Sequence, residues 1–427
     1  MSTERESFVL VPNAGHSALL VSGEKLPCVR SRSGAAGVIE ALRQTWSLDA
    51  PYLRPARILR DDTTKQTSVA LYEFDAPHAE WEPPAEMEWL GLDNADPEAL
   101  SLPGLAPCVA GWLAITGGAP IPEARPPWAR SGWLAEASGW MEESMVEAGL
   151  QPVGPVEVVE QWPLSSVLRR GTRDGHVYMK AVFSTFHHEP AFTRSLATEH
   201  PALVPDVLAL DASRGWMLMR ELPGTQIGEL DVREWSDALR AAAGVHRAWS
   251  GRTGDLFALG AQDRRLAVLT VEIERAFEAV GLAGSDRAVS QIETRCEELG
   301  EGPLPQTLVH GDLHPWNVMV DGDDLRIFDW SDACVTHPLF DLPTFLQRAD
   351  DESARRSMLD AYLGAWADLA SLDELRAAYQ LALPLAHVHH AISYLRISEA
   401  LEPDDRWWFE DEPRGWLTGA VELLETP

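Results

Sequence analysis

The sequence predicts an α+β protein built as a small mixed α/β domain, a β-rich lobe and a helical lobe. Strand-like alternation dominates residues 155–222, helical spacing dominates from Glu229 onward, and a polar hairpin at Thr307–Asp332 interrupts the helices. A chain of 427 residues has room for two or three domains at roughly 100–200 residues each.

In the first part, residues 1–118, FVLVP (Phe8–Pro12) and SALLVS (Ser17–Ser22) read as strands. GVIEALRQTWSL (Gly37–Leu48) places Ile39, Leu42 and Trp46 on one helical face, and QTSVALYEFD (Gln66–Asp75) alternates like a strand. A helix is expected near Leu105–Ile115. The Gly and Pro density of residues 119–133 marks a linker. Residues 134–224 carry an amphipathic helix (Trp133–Leu150) and then the β-rich lobe. Its strands are Val156–Trp162, Ser166–Arg170, His176–Phe183, Val204–Asp211 and Trp216–Leu222, with a short helix at Pro190–Glu199. Residues 225–427 form the helical lobe.

Composition excludes several classes. No run approaches the roughly 18 apolar residues that a membrane span needs, and the N-terminus shows no basic segment followed by an apolar core. Cys28, Cys108, Cys296 and Cys334 lack CxxC spacing, which argues against a disulfide framework or a zinc site and fits a reducing, cytoplasmic setting. A net charge of −31 repels phosphate backbones and anionic lipid, so no nucleic-acid or membrane partner is expected. The same charge could attract a cationic substrate, although its even spread reads first as a solubility device. Lysine is confined to Lys25, Lys65 and Lys180, so a lysine in a chemically demanding place stands out.

The most informative stretch is LVHGDLHPWNVMVDGDDLRIFDWSDACVTHPLFDL, Leu308–Leu342. Strands Val318–Val320 and Leu325–Phe328 flank the turn Asp321–Asp324, so Asp312 and Asn317 at the mouth come close to Asp329 at the exit. An amide oxygen from Asn317 and a carboxylate from Asp329 suit Mg²⁺, which prefers a few hard oxygens plus phosphates and water. Asp312 can take a proton from a hydroxyl and orient its attack. Each of the three alone reads as an ordinary turn or cap residue. Their order and spacing together carry the chemistry.

HGDLHPWN followed by IFDW resembles the aminoglycoside phosphotransferase and choline-kinase-like family, over about residues 153–424. The resemblance implies a bilobal protein-kinase-like fold and transfer of the ATP γ-phosphate to a hydroxyl of a small molecule. It implies Asp312 as catalytic base, His310 as its orienter in the catalytic loop, and Asn317 and Asp329 as metal ligands. Asp341 resembles the later aspartate that ties the helical lobe to this loop. Trp316 departs from the family pattern, where glycine is common. His314 reads as a loop-stabilising hydrogen bonder or a catalytic group. ATP and GTP are not distinguished, nor is the acceptor.

HVYMKAVF resembles the strand whose lysine holds nucleotide phosphates, which would be Lys180; the alternative is an exposed strand position. Glu189 resembles the helix glutamate that pairs with that lysine, with Glu199 as competitor. No GxGxxG is present, and Ser165 and Ser166 stand where the family often has a serine turn that presents hydroxyl and N–H groups to phosphate. WMLMRELPG resembles the linker whose backbone, at Arg220 and Leu222, binds the nucleobase.

The first domain faintly resembles a Nudix fold, with Ala41, Gln44 and Thr45 where metal-binding glutamates would fall, which implies a non-hydrolytic scaffold. Candidate substrate groups are Asp332, Asp350, Asp351, Glu352, Glu399, Asp404, Asp405 and Glu410–Glu412, against the alternative of a solvated acidic face. Trp407, Trp408 and Phe409 could stack on a sugar or pin the chain end. His387 and His390 share a helix face that permits metal binding, but no carboxylate is spaced to complete a site, so with His389 they read as packing or surface histidines. Two other classes remain: a kinase-like nucleotide-binding module without turnover, and a protein kinase, against which the absence of an APE motif speaks.

Overall fold

The computed structural model describes residues 4–60, 67–282 and 285–425. Lys65 and Gln66, the latter opening a predicted strand, lie outside the described residues. Contacts divide the chain into two compact units, Met1–Phe183 with Ala400–Trp408, and Ser184–Glu399 with Phe409–Pro427.

The first unit opens with β1 (Arg5–Leu10), β2 (Ala18–Ser22), β3 (Cys28–Ser31), α1 (Ala35–Trp46), β4 (Tyr52–Arg60), β5 (Thr67–Phe74) and β6 (Met87–Gly91). Helices α2 (Pro97–Leu100), α3 (Ala106–Thr116) and α4 (Trp133–Glu147) follow. Its sheet runs β3-β1-β5-β4, with β1 and β5 parallel and the outer pairs antiparallel. Side chains alternate across a strand, so Val9 and Val11 pack on the α1 side while Leu10 faces Val109 and Trp112 of α3. Apolar cover on both faces explains why FVLV reads as an unbroken hydrophobic run.

The antiparallel strands β7 (Val153–Gln161), β8 (Ser165–Thr172) and β9 (Gly175–Val182) complete this unit. The sequence reading begins the strand core at Val156, after Gly154 and Pro155. Instead they sit in an irregular stretch of the strand, where the register shifts between Val153 and Glu157 and Gly154 takes φ 71°. Helix α1 and strand β4 both pack on β7. That contact is why the first domain groups with these strands, and the division falls after Phe183 where the sequence reading separates the parts at residue 118.

The second unit contains α5 (Glu189–Glu199), the antiparallel pair β10 (Val207–Asp211) and β11 (Trp216–Arg220), β12 (Thr225–Gln226), α6 (Ser236–Ala248) and α7 (Thr253–Ala258). It continues through β13 (Gln262–Asp263), α8 (Leu266–Val280), α9 (Ser285–Gly300), β14 (Thr307–Val309), β15 (Val318–Asp321), β16 (Asp324–Ile327) and β17 (Cys334–Thr336). Helices α10 (Leu342–Leu346), α11 (Glu352–Leu363), α12 (Leu372–Ala400) and α13 (Glu412–Glu425) close the chain. One apolar core joins α6, α8, α9, α11 and α12 with the β14–β17 region. Among the described residues no helix is long and apolar enough to cross a membrane.

Candidate functional site

Two small sheets in the second unit aim two loops at one place. β14 and β17 are antiparallel, with Val309 opposite Cys334. Residues 310–317 therefore leave the sheet from the edge at which residues 328–333 return to it. The β15–β16 hairpin closes between them, with Val318 opposite Ile327, and the Asn317 carbonyl accepts the Phe328 amide at 3.0 Å. This register sets Asn317 beside Phe328 and Asp329. β12 adds to β15 and fixes the outer edge of the hairpin.

Asp341 holds the first loop from behind. Its Oδ2 accepts the His310 amide at 2.7 Å and its Oδ1 accepts the Gly311 amide at 2.8 Å. His246 Nε2, from α6, lies 3.1 Å from the same Oδ2, and His246 Nδ1 lies 2.8 Å from the Tyr362 hydroxyl, which donates to the Pro338 carbonyl. Burial would raise the pKa of Asp341; the His246 hydrogen bond and charge and the His310 amide outweigh it and hold it low. The sequence reading missed His246 and Tyr362, whose partners lie far away along the chain. The bare pattern of α6 shows only a histidine among buried alanines and valine.

His310 is buried, and its Nε2 meets the Phe328 carbonyl at 2.9 Å. Burial lowers its pKa, so the ring is neutral and Nε2–H donates. His310 thereby ties one loop to the residue preceding Asp329, and acts on Asp312 and Asp329 through the backbone.

Asp329 sits in the left-handed region, φ 65° and ψ 62°. A non-glycine residue pays about 1 kcal/mol or more for that conformation. The adjoining Trp330 is 1 % exposed, its indole N–H donates to the Ile327 carbonyl at 3.1 Å, and its ring lies 4.7 Å from that of His310. Burying such a side chain outweighs the strain several-fold. The Asn317 amide donates to the Asp312 carbonyl at 3.0 Å, which spends its nitrogen and leaves its oxygen as the remaining ligand atom.

Burial among protein atoms, then the charges of Asp329 and Asp341, push the Asp312 carboxyl up to about 7 against the pull of Arg348. Its side chain is still 44 % accessible, and contact with water moderates the shift without reversing it. Among the described residues no group of three or more His, Cys, Asp and Glu could hold a metal ion. Asn317 and Asp329 fit the other arrangement, in which two protein oxygens hold Mg²⁺ and phosphates and water complete its shell.

His314 Nε2 lies 3.7 Å from Asp312 Oδ2, beyond a hydrogen bond. Trp316 packs flat against Gly228, with Arg348 over its ring at 5.6 Å, and its carbonyl accepts from Gln226 at 2.8 Å. Trp316 is supported on one side in this way and remains 38 % exposed. Tyr394 stands in the same neighbourhood: burial, then the charges of Asp312, Glu412 and Asp332, raise its pKa against Arg348. It packs on Phe409 at 5.7 Å.

The remaining predicted residues are distributed as follows. Lys180 lies in mid-β9 opposite Val167, 7 % exposed. Glu189 opens α5 and is fully buried, whereas Glu199 pairs with Arg252 through two bonds of 2.6 and 2.8 Å. The Arg220 amide approaches the Asp206 carbonyl at 3.4 Å, and Leu222 follows in an irregular linker. Ser165 accepts from the Trp162 indole at 2.9 Å. Ser166 is fully buried and donates to Gln161 Oε1 at 2.9 Å, which commits its hydroxyl inside the unit.

Three of the acidic candidates have other duties. Asp351 caps α11, Glu399 pairs with Arg275, and Asp405 is buried against Arg54 in the first unit. Trp407 and Trp408 stack on each other, and Trp408 meets Trp162 edge-on. His387 and His390 pack on Trp416.

A β-sheet lobe, a helical base and paired oxygen-bearing side chains at one hairpin mouth describe a phosphoryl-transfer enzyme of the protein-kinase-like fold. Residues 166–375 match the phosphotransferase enzyme family. The match begins beyond the first domain and says nothing of its Nudix resemblance. Among solved structures, a choline/ethanolamine kinase family protein from Mesorhizobium loti shares 21% identity and a TM-score of 0.51, covering 69% of this chain and 95% of its own. A macrolide 2'-phosphotransferase from Brachybacterium faecium shares 17% identity at a TM-score of 0.47, covering 68% and 99%. A choline kinase from Streptococcus pneumoniae shares 15% identity at a TM-score of 0.49, covering 68% and 100%. No curated protein matches in sequence.

Proposed function

We propose that this phosphotransferase moves the γ-phosphate of ATP to a hydroxyl of a small cationic molecule, an amino-sugar or amino-alcohol. The observation that carries the reading is the convergence of Asp312, Asn317 and Asp329 on one hairpin mouth, braced by Asp341 and His310. Magnesium bound with the nucleotide would neutralise phosphate charge, held by Asn317 Oδ1 and the Asp329 carboxylate. Asp312 would accept the acceptor's hydroxyl proton as that oxygen bonds to the γ-phosphorus and the bond to the bridging oxygen breaks, releasing ADP. Lys180 would contribute an ammonium to the phosphates, and the backbone at Arg220 and Leu222 would receive the base.

The cationic acceptor follows from charge. Asp312, Asp332 and Glu412 bear on Tyr394 together, and Arg348 opposes them. An ammonium near the reacting hydroxyl would be drawn to this excess of carboxylates.

The test is a phosphate-transfer screen over amino-sugars, amino-alcohols and macrolides with Mg²⁺-ATP, read by an 80 Da mass gain characteristic of phosphorylation. A cationic acceptor turned over by the wild type and not by Asp312→Asn supports the proposal. ATP binding without transfer or hydrolysis under any condition refutes it in favour of a silent nucleotide-binding module.

A further inference from the structure

The β7–β8 turn, Trp162–Leu164, lacks glycine. Pro163 fixes its own φ and offers no N–H, and the Trp162 amide closes the turn on the Ser165 carbonyl at 3.0 Å. A turn of this composition cannot depend on backbone freedom to fit a nucleotide. Its shape has to be set from outside.

The first domain provides the means. Gln161, 3 % exposed, donates from Nε2 towards the Tyr52 and Leu53 carbonyls of β4 and the Trp128 carbonyl of the linker, and accepts from Ser166. Trp128, 2 % exposed, returns a bond from its indole N–H to the Trp162 carbonyl at 2.8 Å. The β4 carbonyls face Gln161 at a bulge, because the β4–β5 register shifts between Tyr52 and Arg54. The next residue, Arg54, is locked to Glu73 at 2.8 Å and Asp405 at 3.1 Å. The bulge that receives Gln161 therefore stands on a buried ionic anchor.

We propose that Gln161 and Trp128 are positioning residues through which the first domain presets the β7–β8 turn for nucleotide phosphates. This rests on the reading of β7–β9 as the nucleotide-binding strands. A preset turn spares the ordering cost that a mobile loop pays on binding, so the tether acts on nucleotide affinity and leaves acceptor affinity alone.

The experiment measures binding of Mg²⁺ with the non-hydrolysable analogue AMP-PNP to the full chain by calorimetry, with melting temperature in parallel. Gln161→Leu and Trp128→Phe are expected to weaken binding about three- to tenfold each, the worth of one or two net hydrogen bonds, and to be less than additive when combined. Trp112→Phe, in the α3 core of the first domain, is expected to lower the melting temperature and leave the affinity unchanged. Unchanged affinity in Gln161→Leu and Trp128→Phe alongside lowered melting would reduce both residues to packing and overturn the proposal. Failure of the wild type to bind AMP-PNP would sink the functional reading beneath it instead.

Discussion

Asp341 accepts the Gly311 amide at 2.8 Å, and with it fixes the one residue of the loop whose backbone only glycine suits. The second oxygen takes the His310 amide, so the carboxylate spans two successive N–H groups directly before Asp312. No neutral isostere reproduces this, because an amide presents one acceptor and one donor. Asp341→Asn should set an NH₂ against a backbone N–H. The loss of charge-assisted bonds of roughly 1.5–3 kcal/mol predicts a fall in kcat of about ten- to a hundredfold, with ATP affinity little changed. Equal kcat in steady-state kinetics would show that the loop keeps its shape without this anchor.

Gly311 itself makes the second prediction. It has φ 85°, and a Cβ placed there would lie 2.1 Å from the Asp332 carbonyl oxygen. Gly311→Ala meets an unfavourable backbone region and a backbone clash together. Destabilisation of about 2 kcal/mol or more is expected in urea unfolding, with activity lost at temperatures where the fold survives. A variant of wild-type stability would contradict the close packing of the two loops.

Replacing the proposed base, Asp312, should separate chemistry from binding. Asp312→Asn keeps size and polarity and removes the proton acceptor. A fall in kcat of about 10²- to 10⁴-fold is expected, with nucleotide affinity within a few-fold of wild type. A loss confined to KM, with kcat retained, would assign Asp312 to acceptor binding instead.

The sequence made some of these relationships legible and hid others, for a physical reason. Asp312, Asn317 and Asp329 lie within one hairpin, where two-residue alternation and a turn signal determine who faces whom. The bracing of that hairpin uses His246, 64 positions before His310 by residue number and on another helix, and no local pattern encodes such a contact. Ser165 and Ser166 stand at a phosphate-binding turn by resemblance alone; the buried hydrogen bond of Ser166 to Gln161 is visible only in the fold. The links of Arg54 to Glu402 and Asp405, separated by 348 and 351 residues, are the extreme case.

Those links carry the last prediction. Arg54 and Arg125 face Glu73, Glu402 and Asp405, all nearly inaccessible, so two cations confront three potential anions. One proton would neutralise the cluster. Asp405 is the group placed to take it: burial first, then Glu402 and Glu73, raise its carboxyl to about 7 against the pull of Arg54 and Arg125. An unfolded aspartate titrates near 3.8, so between roughly pH 4 and 7 the folded chain holds the extra proton. Asp405 therefore contributes stability that is complete below about pH 4 and is lost as pH rises through about 7. Asp405→Asn retains an oxygen for Arg54 and carries no charge at any pH. It should shrink the decline in melting temperature between pH 5 and 8 and melt a few degrees above wild type at pH 8. Arg54→Leu should act oppositely, leaving carboxylates without their main counter-charge and destabilising by about 3–5 kcal/mol. Calorimetry of both variants across that pH range decides the matter: an Asp405→Asn protein with the wild-type slope would place the extra proton elsewhere.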